Sequence, residues 1–191
     1  MNIKMFIGSE DLELVNGVWR KEPNSLIMKP ANSLVKQFLQ TLKTHFSFAT
    51  CGSFAWTDTG GTTRTQNTNI AMTCTAALGD TTNGMVVGTG TNAVTITDYA
   101  LQTKIAHGTG ASQLQYAAQL FNDTDVTVSG STCYYDLTRT FTNGSGSDIT
   151  VTEVGLYGKM TYYYLIDRTL YTKTIANGAG AIFTYRLQIS V

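Results

Sequence analysis

The sequence predicts a mainly β protein, an antiparallel β-sandwich with one amphipathic α-helix near the N-terminus, and three observations point there. Threonine, whose branched Cβ suits a pleated surface, is about one residue in six. From residue 113 onward apolar side chains recur with a two-residue period, which places them on one face of a strand. Asn-Gly and Gly-rich turn signals separate those runs, and no second helical pattern long enough for a crossover follows residue 50.

The elements follow in order. "MNIKMFIG" can add a strand, and "DLELVNGVWRKEP" reads as a strand or turn around Asn16-Gly17, ended by Pro23. In "NSLVKQFLQTLKTHF", Leu34, Val35, Phe38, Leu39, Leu42 and Phe46 recur at helical spacing, with Asn32 or Ser33 placed to cap the first free N–H groups. That apolar face needs a partner, either the body's own sheet or a sister subunit, and Leu34, Phe38 and Leu42 are the assembly candidates. The chain therefore divides into an N-terminal extension and helix, residues 1–48, acting as a tether or assembly segment, and a β-sandwich domain, residues 49–191.

Beyond the helix, "FSFATCGSFAWTDTGGTTRT" is strand-like and closes on Asp58-Thr59-Gly60-Gly61. "TQNTNIAMTCTAALGDTTNG" reads as a long loop or weak strand, and whether residues 62–84 are ordered before assembly stays open. Then the alternation sets in. Leu114, Tyr116, Ala118 and Leu120 share a face; Tyr135, Leu137 and Phe141 share another, with Arg139 among them; Phe183, Tyr185, Leu187, Ile189 and Val191 form a third. Turns fall at Asn143-Gly144-Ser145-Gly146 and Asn177-Gly178-Ala179-Gly180.

Composition narrows the function. Charged residues are 14% of the chain, against roughly 25% in ordinary soluble domains, and they cancel to zero net charge. A surface so weakly self-repelling favours self-association. No run of Lys and Arg exists to bind phosphate, which argues against nucleic acid, and no stretch approaches the roughly 20 apolar residues of a membrane span. The N-terminus lacks the apolar core of a secretory signal, so the chain is expected to be made in a cytoplasm, with Cys51, Cys74 and Cys133 as free thiols. The sequons at Asn122 and Asn143 read as turn chemistry.

Motifs that resemble chemistry have simpler readings. "GMVVGTGTNA" holds G-x-G-x-x-A after an apolar run, but "VTITDYALQTKI" follows, whose β-branched residues resist the helix that a dinucleotide site requires. Gly88 and Gly90 instead suit a strand-to-loop corner. His45 and His107 lack metal-ligand spacing, and "GSGSD" is not a nucleophile elbow, so neither metal, cofactor nor enzyme activity is expected. "MTYYYLIDRTLY" places Tyr162 and Tyr164 on one strand face and Tyr163 on the other: either core and cross-strand pairs, or an exposed platform for sugar or a neighbouring subunit.

"SDITVTEVGLYG" is the most informative segment. Ile149 and Val151 alternate with threonines, yet after Glu153 the apolar positions become Val154 and Leu156. A β-bulge near Glu153 to Gly155 would produce that slip. On the original register Glu153 points inward, where a carboxylate needs a partner, and Arg168 is the candidate.

These residues carry a resemblance. The helix at Asn32 to Leu42, the turn at Asp58 to Thr62, the G-x-G loop leading from Gly88 to Leu101, "FTN…ITVTEVGLY" at Phe141 to Tyr157, and Arg168 in the closing hairpin resemble small virion structural proteins of tailed bacteriophages. The G-x-G loop and "EVGLY" are also similar in order to the N-terminal part of tail-collar fibre proteins; nothing here resembles a fibre shaft. The resemblance implies a non-enzymatic virion protein without cofactor, partnered by copies of itself and other virion proteins, in the tail, collar or neck or as a capsid decoration. The alternative is a receptor- or glycan-binding module of a phage tail.

Overall fold

Residues 2–15 lie inside the largest of the three sheets formed by the described residues, beside the strand of residues 180–190. The computed structural model describes residues 2–23, 25–31, 34–47, 53–67, 71–119, 121 and 126–190. Strand β1 (Asn2–Val15) pairs antiparallel with β12 (Gly180–Ser190), in register from Asn2 opposite Ser190 to Leu12 opposite Gly180. On its other side β12 pairs with β9 (Thr132–Thr142). Four short strands cover the edges: β2 (Val18–Lys21) and β3 (Ile27–Ala31) on β1, β7 (Gln115–Tyr116) and β8 (Thr127–Ser129) on β9.

The second sheet has the order β11-β10-β6, from β6 (Gly84–Gly88), β10 (Ile149–Lys159) and β11 (Tyr163–Ile175). It packs on the first as a sandwich. Ile7, Leu137, Phe141, Phe183 and Tyr185 from one sheet meet Val87, Val151, Val154, Leu165 and Tyr171 from the other in one buried cluster. Edge-on aromatic contacts run from Tyr116 to Phe141 (4.8 Å), Phe141 to Phe183 (5.2 Å) and across the layers from Phe183 to Tyr171 (5.9 Å). Such pairs contribute about 0.5–1.5 kcal/mol each beyond their burial. Tyr185 ties the layers with polar bonds, its hydroxyl reaching Val154 O (3.1 Å) and Asp167 Oδ2 (2.8 Å).

The alternation around Arg139 is realised in β9, where Leu137, Arg139 and Phe141 are buried and Thr138 is exposed. In "QLQYAAQLF", by contrast, only Gln115–Tyr116 form a strand. The backbone carbonyl of Ala117 is taken by the Arg139 side chain and Gln119 bridges to Ala76, so the chain leaves the ladder; Leu120 lies outside the described residues.

A third, two-stranded sheet joins β4 (Ser53–Thr57) to β5 (Thr63–Asn67) through the "DTGG" turn. Helix α1 (Lys36–Ser47) lies against it and against β11: Gln37 Nε2 donates to Thr57 O (3.4 Å), Gln40 Nε2 to Ala55 O (3.0 Å), and Val35 N to Ile166 O (3.2 Å). Among the described side chains the fully buried helix positions are polar: Gln37 faces a backbone carbonyl of the hairpin, and the Thr44 hydroxyl donates to Thr41 O of its own helix (2.7 Å). Phe38 and Leu42 are half-buried and Leu39 is exposed. Asn32 and Ser33, the expected caps, lie outside the described residues.

Two expectations are corrected. The boundary at residue 48 does not separate an extension from a domain, since Met5, Ile7 and Ser9 are buried and β1 pairs with β12 from Asn2 to Leu12. The bulge expected near Glu153 to Gly155 has a counterpart beside Glu153, but it lies on the partner strand and not on β10. β10 runs against β6 unshifted from Glu153 to Tyr157, and the shifts against β11 fall between Val151 and Glu153 and between Leu156 and Tyr157, with the extra residue on β11 each time. From Glu153 to Gly158 both faces of β10 are buried, and a strand covered on both faces loses its alternation.

Candidate functional site

The buried end of β10 carries a carboxylate. Glu153 is 0% exposed, a position that costs several kcal/mol for an unpaired charge. Its partner stands on the adjacent strand: Gly155 is directly opposite Arg168, whose Nε donates to Glu153 Oε2 at 2.8 Å. Three backbone amides complete the shell, Gly90 N (3.0 Å) and Thr103 N (2.8 Å) to Oε1 and Gln102 N (3.1 Å) to Oε2. The structure thus brings together Glu153, Arg168 and the glycine corner.

Arg168 is itself 3% exposed and divides its guanidinium. Nη1 donates to Asp98 Oδ2 (2.9 Å) and Nη2 to Asn92 O (3.1 Å). Burial works to raise the Asp98 carboxyl, but bonds from the Thr95 hydroxyl and amide and from Arg168 outweigh it and hold the group below the usual carboxylate range. Burial likewise opposes the charge of Arg168, and the two carboxylates overcome it, leaving its pKa raised.

The glycines of "GTG" now have a reason. A Cβ on Gly88 would lie 2.5 Å from Thr103 O, and one on Gly90 would lie 2.5 Å from Gln102 Cβ and 2.6 Å from the Glu153 carboxyl carbon. Gly155 likewise leaves room for Leu101, whose amide donates to the Tyr157 hydroxyl (2.7 Å). What resembles a dinucleotide turn is a backbone cradle for a glutamate of the same chain, fed by an antiparallel strand and followed by irregular chain. Gly90→Ala is expected to cost about 1–3 kcal/mol by overpacking this corner, read as a lower urea midpoint with an unchanged m-value.

A second buried cation pins the long polar segment. Arg139, 1% exposed, donates to five carbonyls: Ala117 (2.8 Å), Asn83 (3.3 Å), Met85 (2.6 Å), Ala77 (3.2 Å) and Asp80 (2.7 Å). Its guanidinium lies 5.0 Å from the Tyr116 ring centre. Burial lowers its pKa to about 10, opposed by Tyr116 and Asp80, so it stays charged at neutral pH. Asn143 plays a comparable part at the other end: its amide donates to Ser147 O (2.9 Å) and Ile175 O (2.7 Å), joining the two glycine turns.

The tyrosines do not form a shared platform. Tyr164 is 0% exposed and packs on Trp56 (5.0 Å between ring centres), Tyr162 lies under Arg64 (4.5 Å), and half-buried Tyr163 lies near Lys159 (5.4 Å). Arg64 in turn holds Asp58 (2.8 Å), lowering that carboxyl and closing the "DTGG" turn. Leu34 and Val35 are held against β11 by their backbone, Leu34 and Phe38 pack against the common core, and Leu42 is half-buried. His107 Nδ1 accepts the Tyr116 amide (3.0 Å). Cys74 and Cys133 are free thiols, that of Cys74 pushed up to about 12 by burial; Cys51 and Asn122 lie outside the described residues.

Two clefts open beside these clusters. One, of about 460 Å³, lies over Arg168 and the 92–102 loop; the other, of about 400 Å³, is apolar and runs between Phe38, Leu42, Met72, Leu137, Leu156 and Leu187. Asp98, Tyr99 and Gln102 escaped sequence reasoning because irregular chain has no period. Arg139 had a signal, its place on a core face. Comparison with family models, curated proteins and solved structures finds no match.

Proposed function

We propose that this protein is a non-enzymatic structural component of a tailed-bacteriophage virion that assembles through contacts between its own copies and with other virion proteins, in the tail, collar or neck or on the capsid surface. The observation that carries the assembly reading is the β1–β2 hairpin. Asn16 (φ 52°) and Gly17 (φ 78°) make a turn in the left-handed region that suits a two-residue hairpin, and every residue of β2 is exposed. Leu14 opposite Trp19, and Val18 opposite Val15, leave apolar side chains on both faces: Leu14 is 52%, Val18 59% and Trp19 39% exposed. Nearby Ile27 adds another at 64%.

Fully burying such a side chain is worth about 1.5–3 kcal/mol, and a chain of zero net charge offers little repulsion against doing so. Lys29 and Pro30 on β3 blunt the sheet edge, so side-chain faces and not added strands would form the contact. The buried cations support the same reading: the bonds of Arg139 go to main-chain carbonyls and those of Arg168 to Glu153, Asp98 and Asn92, all serving architecture.

The expected result is concentration-dependent association by size-exclusion chromatography with light scattering, and monomers for Trp19→Glu with an unchanged melting temperature. The chain should also band with purified phage particles. A wild-type protein that stays monomeric at high concentration and is absent from particles would overturn the proposal.

A further inference from the structure

We infer that the cleft over Arg168 is a binding site for a neutral saccharide. It has the size of a small-ligand site, about 460 Å³ against roughly 300–1,000 Å³ for such pockets. Its walls include Asn92, Thr97, Asp98, Tyr99, Gln102 and Arg168.

The cleft is built before any ligand arrives. Glu153 fixes the amides of Gln102 and Thr103, the Gln102 side-chain oxygen accepts from Thr91 N and Asn92 N (both 2.9 Å), Asp98 closes on Thr95, and Ile96 O accepts from Lys36 N (3.1 Å). A loop ordered in this way loses little further entropy on binding. The Tyr99 ring stands beside the "DTGG" turn, 3.3 Å from where a Cβ of Gly61 would be, and is 43% exposed.

The chemistry selects the ligand. Arg168 directs three of the five N–H groups of a guanidinium into the protein, and the side-chain amide of Asn92 and the Gln102 NH₂ have no partner among the described residues. Donors therefore stand beside an acceptor, the Asp98 carboxylate, and a half-exposed aromatic ring. A pyranose matches that set, with hydroxyls that both donate and accept and a C–H face to lie on a ring. An anion does not: Glu153 and Asp98 are two carboxylates against one guanidinium, so the floor repels negative charge and disfavours acidic sugars and nucleic acid. This site is separate from the β1–β2 hairpin, and it moves the glycan reading from Tyr162 to Tyr164 onto Tyr99.

Saturation-transfer NMR with neutral hexoses, N-acetylhexosamines and their disaccharides at millimolar concentration tests it. Transfer to ring protons is expected, weakened at least about tenfold by Tyr99→Ala and several-fold by Asn92→Ala, and retained by Tyr99→Phe. Both side chains are exposed, and unchanged melting would show that the variants fold. Repeating the titration on Trp19→Glu separates this site from assembly, since binding should persist there. No transfer from any neutral sugar, transfer only from acidic ones, or transfer indifferent to Tyr99→Ala would each overturn the inference.

Discussion

Arg139→Met is expected to lower the melting temperature by about 6–20 °C. Removing the guanidinium leaves five carbonyls, three of them on the 77–83 segment, without their donor. Each orphaned buried acceptor costs about 1–3 kcal/mol, discounted for those that water can reach and for the relief of no longer burying a charge; about 3–5 kcal/mol in sum is a fair magnitude. A chain of this size shifts about 2–4 °C per kcal/mol. The loss should be local as well as global, with hydrogen-exchange protection falling first at the amides of Met85 and Gln119, which belong to the same knot. Arg139→Lys, with three donors for five carbonyls, should fall between. A melting temperature within 1 °C of wild type, with protection intact, would remove Arg139 from its place as the organiser of this segment.

Glu153→Leu should cost as much, about 3–5 kcal/mol, because it strands Arg168 in a buried position and releases the amides of Gly90, Gln102 and Thr103. The diagnostic is the double variant. If the cost of Glu153→Leu comes from an uncompensated guanidinium, then Glu153→Leu with Arg168→Leu should be clearly more stable than the two single effects summed, by about 1–3 kcal/mol in urea midpoints at constant m-value. Strict additivity would mean that the pair is not an energetic unit.

What could be read from the sequence was whatever a single strand or helix encodes by its own spacing. The end of β9 was legible because one of its faces is buried more deeply than the other, as at Leu137, Arg139 and Phe141. Glu153 and Arg168 were legible because an acidic residue on an apolar face needs an explanation. The slip after Glu153 was visible but misassigned: β10 is covered on both faces there, and the irregularity sits on β11, whose partner register no single sequence displays. The helix was legible from its spacing, and Phe38 packs on the core as an apolar face should, but the amide bonds of Gln37 and Gln40 to hairpin carbonyls left no such pattern. The 92–102 cleft left no pattern, because it is assembled from loop backbone gathered around a carboxylate some 50 residues onward, as in the Thr103 to Glu153 bond, where the separation is 50 residues.

The union of β1 with β12 sets a timetable for the molecule. Their ladder joins Asn2 to Ser190, among the longest chain separations the fold contains, and such distant pairings are slow to close. As the polypeptide leaves the ribosome, β1 is made well before β12, and its hydrogen-bonding edge on that side stays unmatched in the meantime. The apolar hairpin grows directly from β1, so it acquires a firm base only when synthesis has reached β12. If copies associate through that hairpin as proposed, the property follows closure of the ladder and cannot precede it.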